Sequence, residues 1–314
     1  MIQEAIKDQN IPGAVLSVVH KGIEVCHRAY GNQVVFPKEE QMETNTRFDI
    51  ASLTKVTAML PVTLLLVDEG RLQLDTCVRD VFPTFPHERV TVRHLLNHTS
   101  GLGADHSLKY AGYTRPEIIK DLLEQPVHVD PGVKRVYSDL GMMLLYFLCE
   151  KILNNEFESY FYERVTQPLG MDCTSFNPKI KKNIAATEYD ERRGTYKRGI
   201  VHDEKAEQMG GISGHAGLFS TARDLQKYLA IYENPRNEVL SKSLIEASFT
   251  GLGWQMSGQT FSHTGFTGVN MWCDPVEKLR VVFLTNRVHF GRSYNLTFLR
   301  EQIKEAIYKK IGGG

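Results

Sequence analysis

Apolar positions follow two rhythms along this chain. Toward both ends they fall in short runs bounded by turn residues, the pattern of strands. From residue 52 to about 187 they recur mostly at three- and four-residue spacing, the pattern of helices. Residues 1–8 read as an amphipathic helix and Pro12-Gly13 as a break. The runs 14–20 and 23–30, joined at Lys21-Gly22, predict a β-hairpin at the edge of a sheet. A polar, irregular approach over 33–50 leads into a helical pattern from Ser52 to about Glu69, where Gly70 stops it. Pro61 is expected to kink or divide that helix. A loop-like stretch over 72–85 precedes a short helix over 90–97, the turn-rich run 98–103, a helix over 117–124 and a turn at Pro131-Gly132. An apolar helix over 140–153 follows, and 155–176 is predicted as one more, ending at Pro168-Leu169-Gly170. The charged run 177–200 predicts a solvated loop. The glycine-dense stretch 210–217 predicts a tight loop entering a helix over 222–232, capped by Ser220 or Thr221. Strands over 255–261, 268–274 and 279–286 and a helix over 293–311 close the chain.

Composition narrows the classes of partner. Of 314 residues, 42% are hydrophobic and 24% charged, ordinary for a soluble enzyme, and Lys+Arg and Asp+Glu are both 37. No net field attracts nucleic acid or an anionic membrane. The longest apolar runs, 58–67 and 140–149, are about half the roughly 20 residues that cross a bilayer. Residues 1–8 lack a secretory apolar core, so the expected location is the cytoplasm, unless a leader has been removed. The five cysteines, Cys26, Cys77, Cys149, Cys173 and Cys273, are widely spaced and read as free thiols, consistent with a reducing compartment.

The candidate chemistry centres on Ala51-Ser52-Leu53-Thr54-Lys55, where the polar approach becomes helical. A serine hydroxyl is a weak nucleophile until a neighbour accepts its proton, and a helix starting at Ser52 places Lys55 one turn on, on the same face. The unpaired N–H groups of a helix start can also hold an anion formed beside the serine. The bare tetrad equally describes a serine cap followed by a solvated lysine. Tyr137, in Tyr137-Ser138-Asp139, can act as a general base where a lysine ammonium lowers its pKa; otherwise it packs at a helix boundary. A zinc enzyme built on His98, His202, His215 and His263 with Asp203 is a competing reading, against which stands the lack of any closely spaced pair of the ligand kind.

Three motifs occur in order: Ser52-Leu53-Thr54-Lys55, a Tyr-x-Asn-like Tyr137-Ser138-Asp139, and a Lys-Thr-Gly-like His263-Thr264-Gly265, with accessory stretches at 95–102 and 214–221. In these the chain resembles the penicillin-recognising serine hydrolases, and within them the class C β-lactamase-related family, which includes esterases and D-amino-acid-recognising peptidases. The resemblance covers nearly the whole chain. It implies an α/β (α+β), β-lactamase/transpeptidase-like fold. Residues 1–50 together with 212–314 would form an antiparallel sheet flanked by helices, 51–211 a mostly helical subdomain, and the groove between them the active site.

The resemblance also implies acyl transfer on a small-molecule ester, amide or peptide, with no metal or cofactor required. Ser52 would be the nucleophile, Lys55 and Tyr137 would handle its proton, and the backbone N–H groups of Ser52 and Phe266 would form the oxyanion hole. Asp139, His263, Thr264 and Gly265 would face the substrate. Two departures matter. Asp139 puts an acceptor where relatives carry an amide donor, and His263 replaces a permanent cation by a group titrating near pH 6.5. A substrate carboxylate would then be held only while His263 is protonated. The expectation is therefore an esterase-like enzyme, with a D-amino-acid peptidase or weak β-lactamase as the alternative. A non-catalytic penicillin- or peptidoglycan-binding protein is the alternative of another class.

Overall fold

The computed structural model describes residues 1–106, 110–234, 237, 239–248 and 251–312. Seven strands form one antiparallel sheet in the order Glu40–Gln41, Ile23–Val34, Gly13–His20, Leu279–Thr285, Asn270–Asp274, Thr260–Thr264, Gln255–Ser257. The first strand therefore lies inside the sheet, with the chain's last strand as its neighbour, in register from Ala14↔Thr285 to His20↔Leu279. The hairpin does lie at the sheet's edge, since its second arm meets only the two-residue Glu40–Gln41, at Asn32 and Val34; the partner of its first arm lies at the far end of the chain, which no local pattern announces. Leu279–Thr285 is buried at every position because both faces of the sheet are covered. Val281 and Phe283 pack with Trp272 under Ile2, Leu299 and Ile303 of the two terminal helices. Val282 and Leu284 point the other way, with Val15 and Met271, into the large core shared with the middle of the chain. Each such side chain removed from water contributes roughly 1.5–3 kcal/mol.

The middle is mostly helical. Asp139–Ile152 is buried from Leu140 to Glu150 and forms a central column, with Ser138 as its cap, accepting the Gly141 N–H at 3.0 Å. Gly214 backs onto this column. A β-carbon there would lie 2.1 Å from the Met142 carbonyl oxygen, so the close approach requires glycine.

The segment expected as one kinked helix from Ser52 is three windings in series: a 3₁₀ turn Ala51–Leu53, a π-helix Lys55–Met59, and an α-helix Leu60–Asp68. Pro61 falls in the first turn of the last, where a missing N–H costs least. The Val56 carbonyl, which a π-type N–H at position 61 would have used, accepts the Tyr228 hydroxyl instead.

Other boundaries shift for identifiable reasons. The single helix expected over 155–176 stops at Thr166, as Phe157–Phe161 continued by a π-turn Tyr162–Thr166. Ser175–Phe176 is instead a strand paired to Leu218–Ser220. The 177–200 run is an ion-paired surface rather than a solvated loop: Lys197 is buried against Glu207 at 2.7 Å and Arg198 meets Glu40 at 2.6 Å. A Gly258 turn splits the strand expected over 255–261 in two. Thr221 rather than Ser220 caps Ala222–Ala230. All five cysteines are free, two of them buried.

Candidate active site

Ser52 sits where an extended segment is turned sharply into a helix. Phe48–Asp49 pairs with Leu218–Ser220, the Ile50 N–H reaches the Leu218 carbonyl at 3.0 Å, and Ala51, the first residue of the 3₁₀ turn, takes a positive φ of 44°. The turn leaves Ser52 half-buried on the wall of a cavity of about 720 Å³. Lys55, one turn on, is fully buried. Its ammonium donates to Ser52 Oγ at 2.9 Å and to the His215 carbonyl at 3.1 Å, and pairs with Asp139 Oδ1 at 2.7 Å.

Burial disfavours the Lys55 charge, yet the Asp139 carboxylate and the Tyr137 phenol outweigh it, and Lys55 titrates above the ordinary lysine range. Burial likewise pushes Asp139 up, but the Lys55 ammonium and His215 hold it below the usual carboxylate range. The two shifts agree on a charged pair. Lys55 is thus an ammonium at neutral pH, not the neutral base that the tetrad alone suggests, and Asp139 serves as its counter-ion.

Tyr137 stands on the cavity wall with its ring 4.9 Å from the Lys55 nitrogen. Behind it lie two histidine rings, His98 at 4.6 Å and His263 at 6.0 Å between centroids. His98 Nδ1 accepts the Ser138 N–H at 3.1 Å, which places its proton on Nε2. His263 Nδ1 meets the Thr264 carbonyl at 2.9 Å and so carries its proton there. Burial, reinforced by the Lys55 charge, pushes each imidazole down to about 3.

His263 is 1% exposed and lies behind the cavity wall, because alternate residues of Thr260–Thr264 turn inward and Thr264 takes the outward place. The expectation of a carboxylate handle switching near pH 6.5 is corrected: His263 is a neutral, buried ring. Thr264, Gly265 and Phe266 do line the cavity beside Ser52. Gly265 is required there, since a β-carbon would lie 2.7 Å from the Ile50 carbonyl oxygen. Thr267 Oγ1 ties the same turn to the Asp49 carbonyl at 2.8 Å. The Phe266 and Ser52 backbones are so brought to one wall.

The rest of the cavity lining contains what sequence reasoning missed. Asp203 caps Glu204–Gln208 and receives His215 Nε2 at 2.8 Å; His215 Nδ1 meets Ser213 Oγ at 2.8 Å. Arg292 pairs with Glu188 at 2.6 Å and Glu204 at 3.1 Å. Arg287 and Arg300 differ. Arg287 donates to the carbonyls of Phe266, Arg292 and Tyr294, and Arg300 to those of Gly268 and Val269; neither has an ion-pair partner among the described residues. Burial and the charge of Arg287 push Arg300 down to about 10. Arg287 opens the 3₁₀ turn Arg287–Phe290 just after the last strand, and Arg300 lies on the final helix. Nothing in their spacing marks them as a pair. No group of three or more His, Cys, Asp or Glu side chains converges in a metal-ligand arrangement among the described residues.

The sequence profile of the beta-lactamase family matches residues 1–303. The chain belongs to the beta-lactamase family. An N-acetylmuramyl-L-alanine amidase of Bacillus subtilis (strain 168) is 32% identical, over 88% of this chain and 78% of that protein. A candidate D-alanyl-D-alanine carboxypeptidase of Escherichia coli O157:H7 is 29% identical, over 90% of this chain and 80% of that protein. Among solved structures, EstCE1, a hydrolase with promiscuous acyltransferase activity, superimposes with a TM-score of 0.79 at 21% identity, covering 98% of this chain and 96% of that one. At that identity the likeness establishes the fold, which is β-lactamase/transpeptidase-like. Members of the beta-lactamase family and its structural neighbours are serine hydrolases, esterases and carboxypeptidases among them.

Proposed function

We propose that this beta-lactamase-family protein hydrolyses esters or amides through an acyl-enzyme on Ser52, and that its substrates carry a carboxylate. The observation that carries the first part is the contact of Ser52 Oγ with a fully buried, ion-paired Lys55 beside Tyr137. Ser52 Oγ attacks the carbonyl carbon while Tyr137 Oη takes its proton and passes its own phenolic proton on toward the leaving group, a relay, since Lys55 already holds its full complement of protons. The backbone N–H groups of Ser52 and Phe266 receive the oxyanion, the leaving group takes up the proton, and water then releases the acyl group. Asp139 keeps Lys55 charged throughout.

The second part rests on Arg287 and Arg300, which present guanidinium charge to the cavity without a carboxylate of their own. This revises the expectation that a substrate carboxylate would be held only while His263 is protonated, because the missing cation of the third motif is replaced from nearer the C-terminus. A peptide C-terminus and an anionic ester meet the same requirement, so a D-amino-acid peptidase remains the second reading.

Arg287→Gln and Arg300→Gln should each raise KM for a carboxylate-bearing ester about tenfold or more, the equivalent of one charge-assisted hydrogen bond. KM for a neutral ester should stay within about threefold. The anionic preference should be flat from about pH 5.5 to 8.5, because guanidinium does not titrate there. Equal losses on both esters would remove the arginines from substrate recognition. A panel of p-nitrophenyl esters, nitrocefin and D-alanyl peptides separates the esterase, β-lactamase and peptidase readings.

A further inference from the structure

Asp49 is an acid buried to 2% exposure three residues before the nucleophile, and none of the steps above employs its side chain. Its two oxygens have separate tasks. Oδ1 accepts the N–H of Ala51 at 2.8 Å, and Oδ2 accepts the N–H of His202 at 2.6 Å. The first bond closes an Asx-type turn around Ile50, at the point where Ala51 holds a left-handed backbone that costs a residue with a β-carbon about 1–2 kcal/mol. Such a conformation persists only where its surroundings over-determine it. The second bond anchors that turn to the loop whose next residue, Asp203, lines the cavity and fixes His215, the carbonyl of which holds Lys55.

We infer that Asp49 is a positioning residue for the nucleophile: its carboxylate holds Ala51 in the strained turn that aims Ser52, and ties this turn to the His202–Asp203 loop. This rests on the reading of Ser52 as nucleophile. The carboxylate is the acceptor suited to the task, since both groups it meets are main-chain N–H donors and only an acceptor on each side satisfies both. A displacement of about 1 Å at a reacting atom can cost about a hundredfold in rate, so the effect belongs in kcat rather than in KM.

The test is a graded series in the full-length chain, read per active site. Asp49→Ala removes both acceptors, whereas Asp49→Asn and Asp49→Ser keep an oxygen for Ala51 and lose the bond to His202. Active sites are counted by saturating fluorophosphonate labelling, with the labelled peptide identified by mass spectrometry. Expected are full labelling of Ser52 in all three, kcat per labelled site down about a hundredfold in Asp49→Ala, intermediate losses in Asn and Ser, and KM within about threefold throughout. A purely structural Asp49 would lower the number of labelled sites and leave kcat per site unchanged, and that result overturns the inference. Equal kcat in Ala, Asn and Ser overturns it as well. If Asp49→Ala does not accumulate as folded protein, Asp49→Ser against the parent decides: kcat per site within threefold of the parent overturns the inference, and a larger loss supports it. Label on a residue other than Ser52 would refute the nucleophile reading instead.

Discussion

Ser52→Ala is expected to lower turnover of every ester substrate by about 10⁴-fold or more, while unfolding at the same denaturant concentration as the parent to within about 1 kcal/mol. The two halves follow from different contacts. Ser52 Oγ is the attacking atom, held 2.9 Å from the Lys55 ammonium, and the other hydroxyl on that ammonium, the Tyr137 phenol, handles the proton. The fold, by contrast, loses little, because Lys55 without Ser52 keeps Asp139 at 2.7 Å and the His215 carbonyl at 3.1 Å. Lys55→Ala has a different signature. It strands the largely buried Asp139 carboxylate, and loss of one partner from a buried ion pair costs about 3–5 kcal/mol. Activity and stability should therefore fall together there, whereas Tyr137→Phe, at a partly exposed ring, should lose rate alone. Stopped-flow turnover, fluorophosphonate labelling and urea titration of the three variants check this. A parent enzyme that fails to label, or Ser52→Ala within tenfold of the parent, would leave the non-catalytic binding reading standing.

How much of this was legible in the sequence depended on distance along the chain. Ser52 and Lys55 are three residues apart, so helical geometry alone placed them together, and the structure adds only that the winding is 3₁₀ and then π. Tyr137 and the 263–266 turn were legible as ordered motifs, because each carries its own local punctuation. What could not be read was any property set by burial. His263 occupies its motif position, yet the inward alternation of its strand buries it and removes the charge assigned to it. Asp139 was read as a substrate contact because its partner lies 84 residues away. Arg287 and Arg300 lie outside the three motifs and the two accessory stretches. Their carbonyl partners come from the 266–269 turn and from 292–294, and only the closed sheet brings these together. The same holds for the first strand, whose central place follows from Leu279–Thr285 and not from its own hairpin.

The buried histidines predict a steep acid lability. His98 and His263 each titrate near 3 in the folded protein and near 6.5 when unfolded. Both pKa values are depressed by folding, so their contribution is complete above pH 6.5 and is lost as pH falls from there toward 3, the range in which only the unfolded chain binds the two protons. The slope is about 1.4 kcal/mol per pH unit for each ring, or roughly 5 kcal/mol for the pair between pH 6.5 and 4.5, comparable with the whole stability of a marginal domain. Asp49, Glu158 and Glu233, raised by burial, act in the opposite sense because the folded state takes up their protons first, whereas His289 and depressed carboxylates such as Asp139 and Glu188 act in the same sense as the two rings. His98→Asn isolates one ring. His98 lies at φ 59°, a conformation asparagine tolerates well, and an Asn Oδ1 can accept the Ser138 N–H in place of Nδ1. The variant should match the parent within about 1 kcal/mol at pH 7.5 and be the more stable protein at pH 5, where about 2 kcal/mol of acid penalty has been removed. Urea unfolding followed by the fluorescence of the buried Trp254 and Trp272 gives both numbers. An unchanged difference between the two pH values in His98→Asn would mean that His98 binds its proton in the folded state as readily as in the unfolded one, and the acid slope would then have to come from His263, His289 and the carboxylates alone.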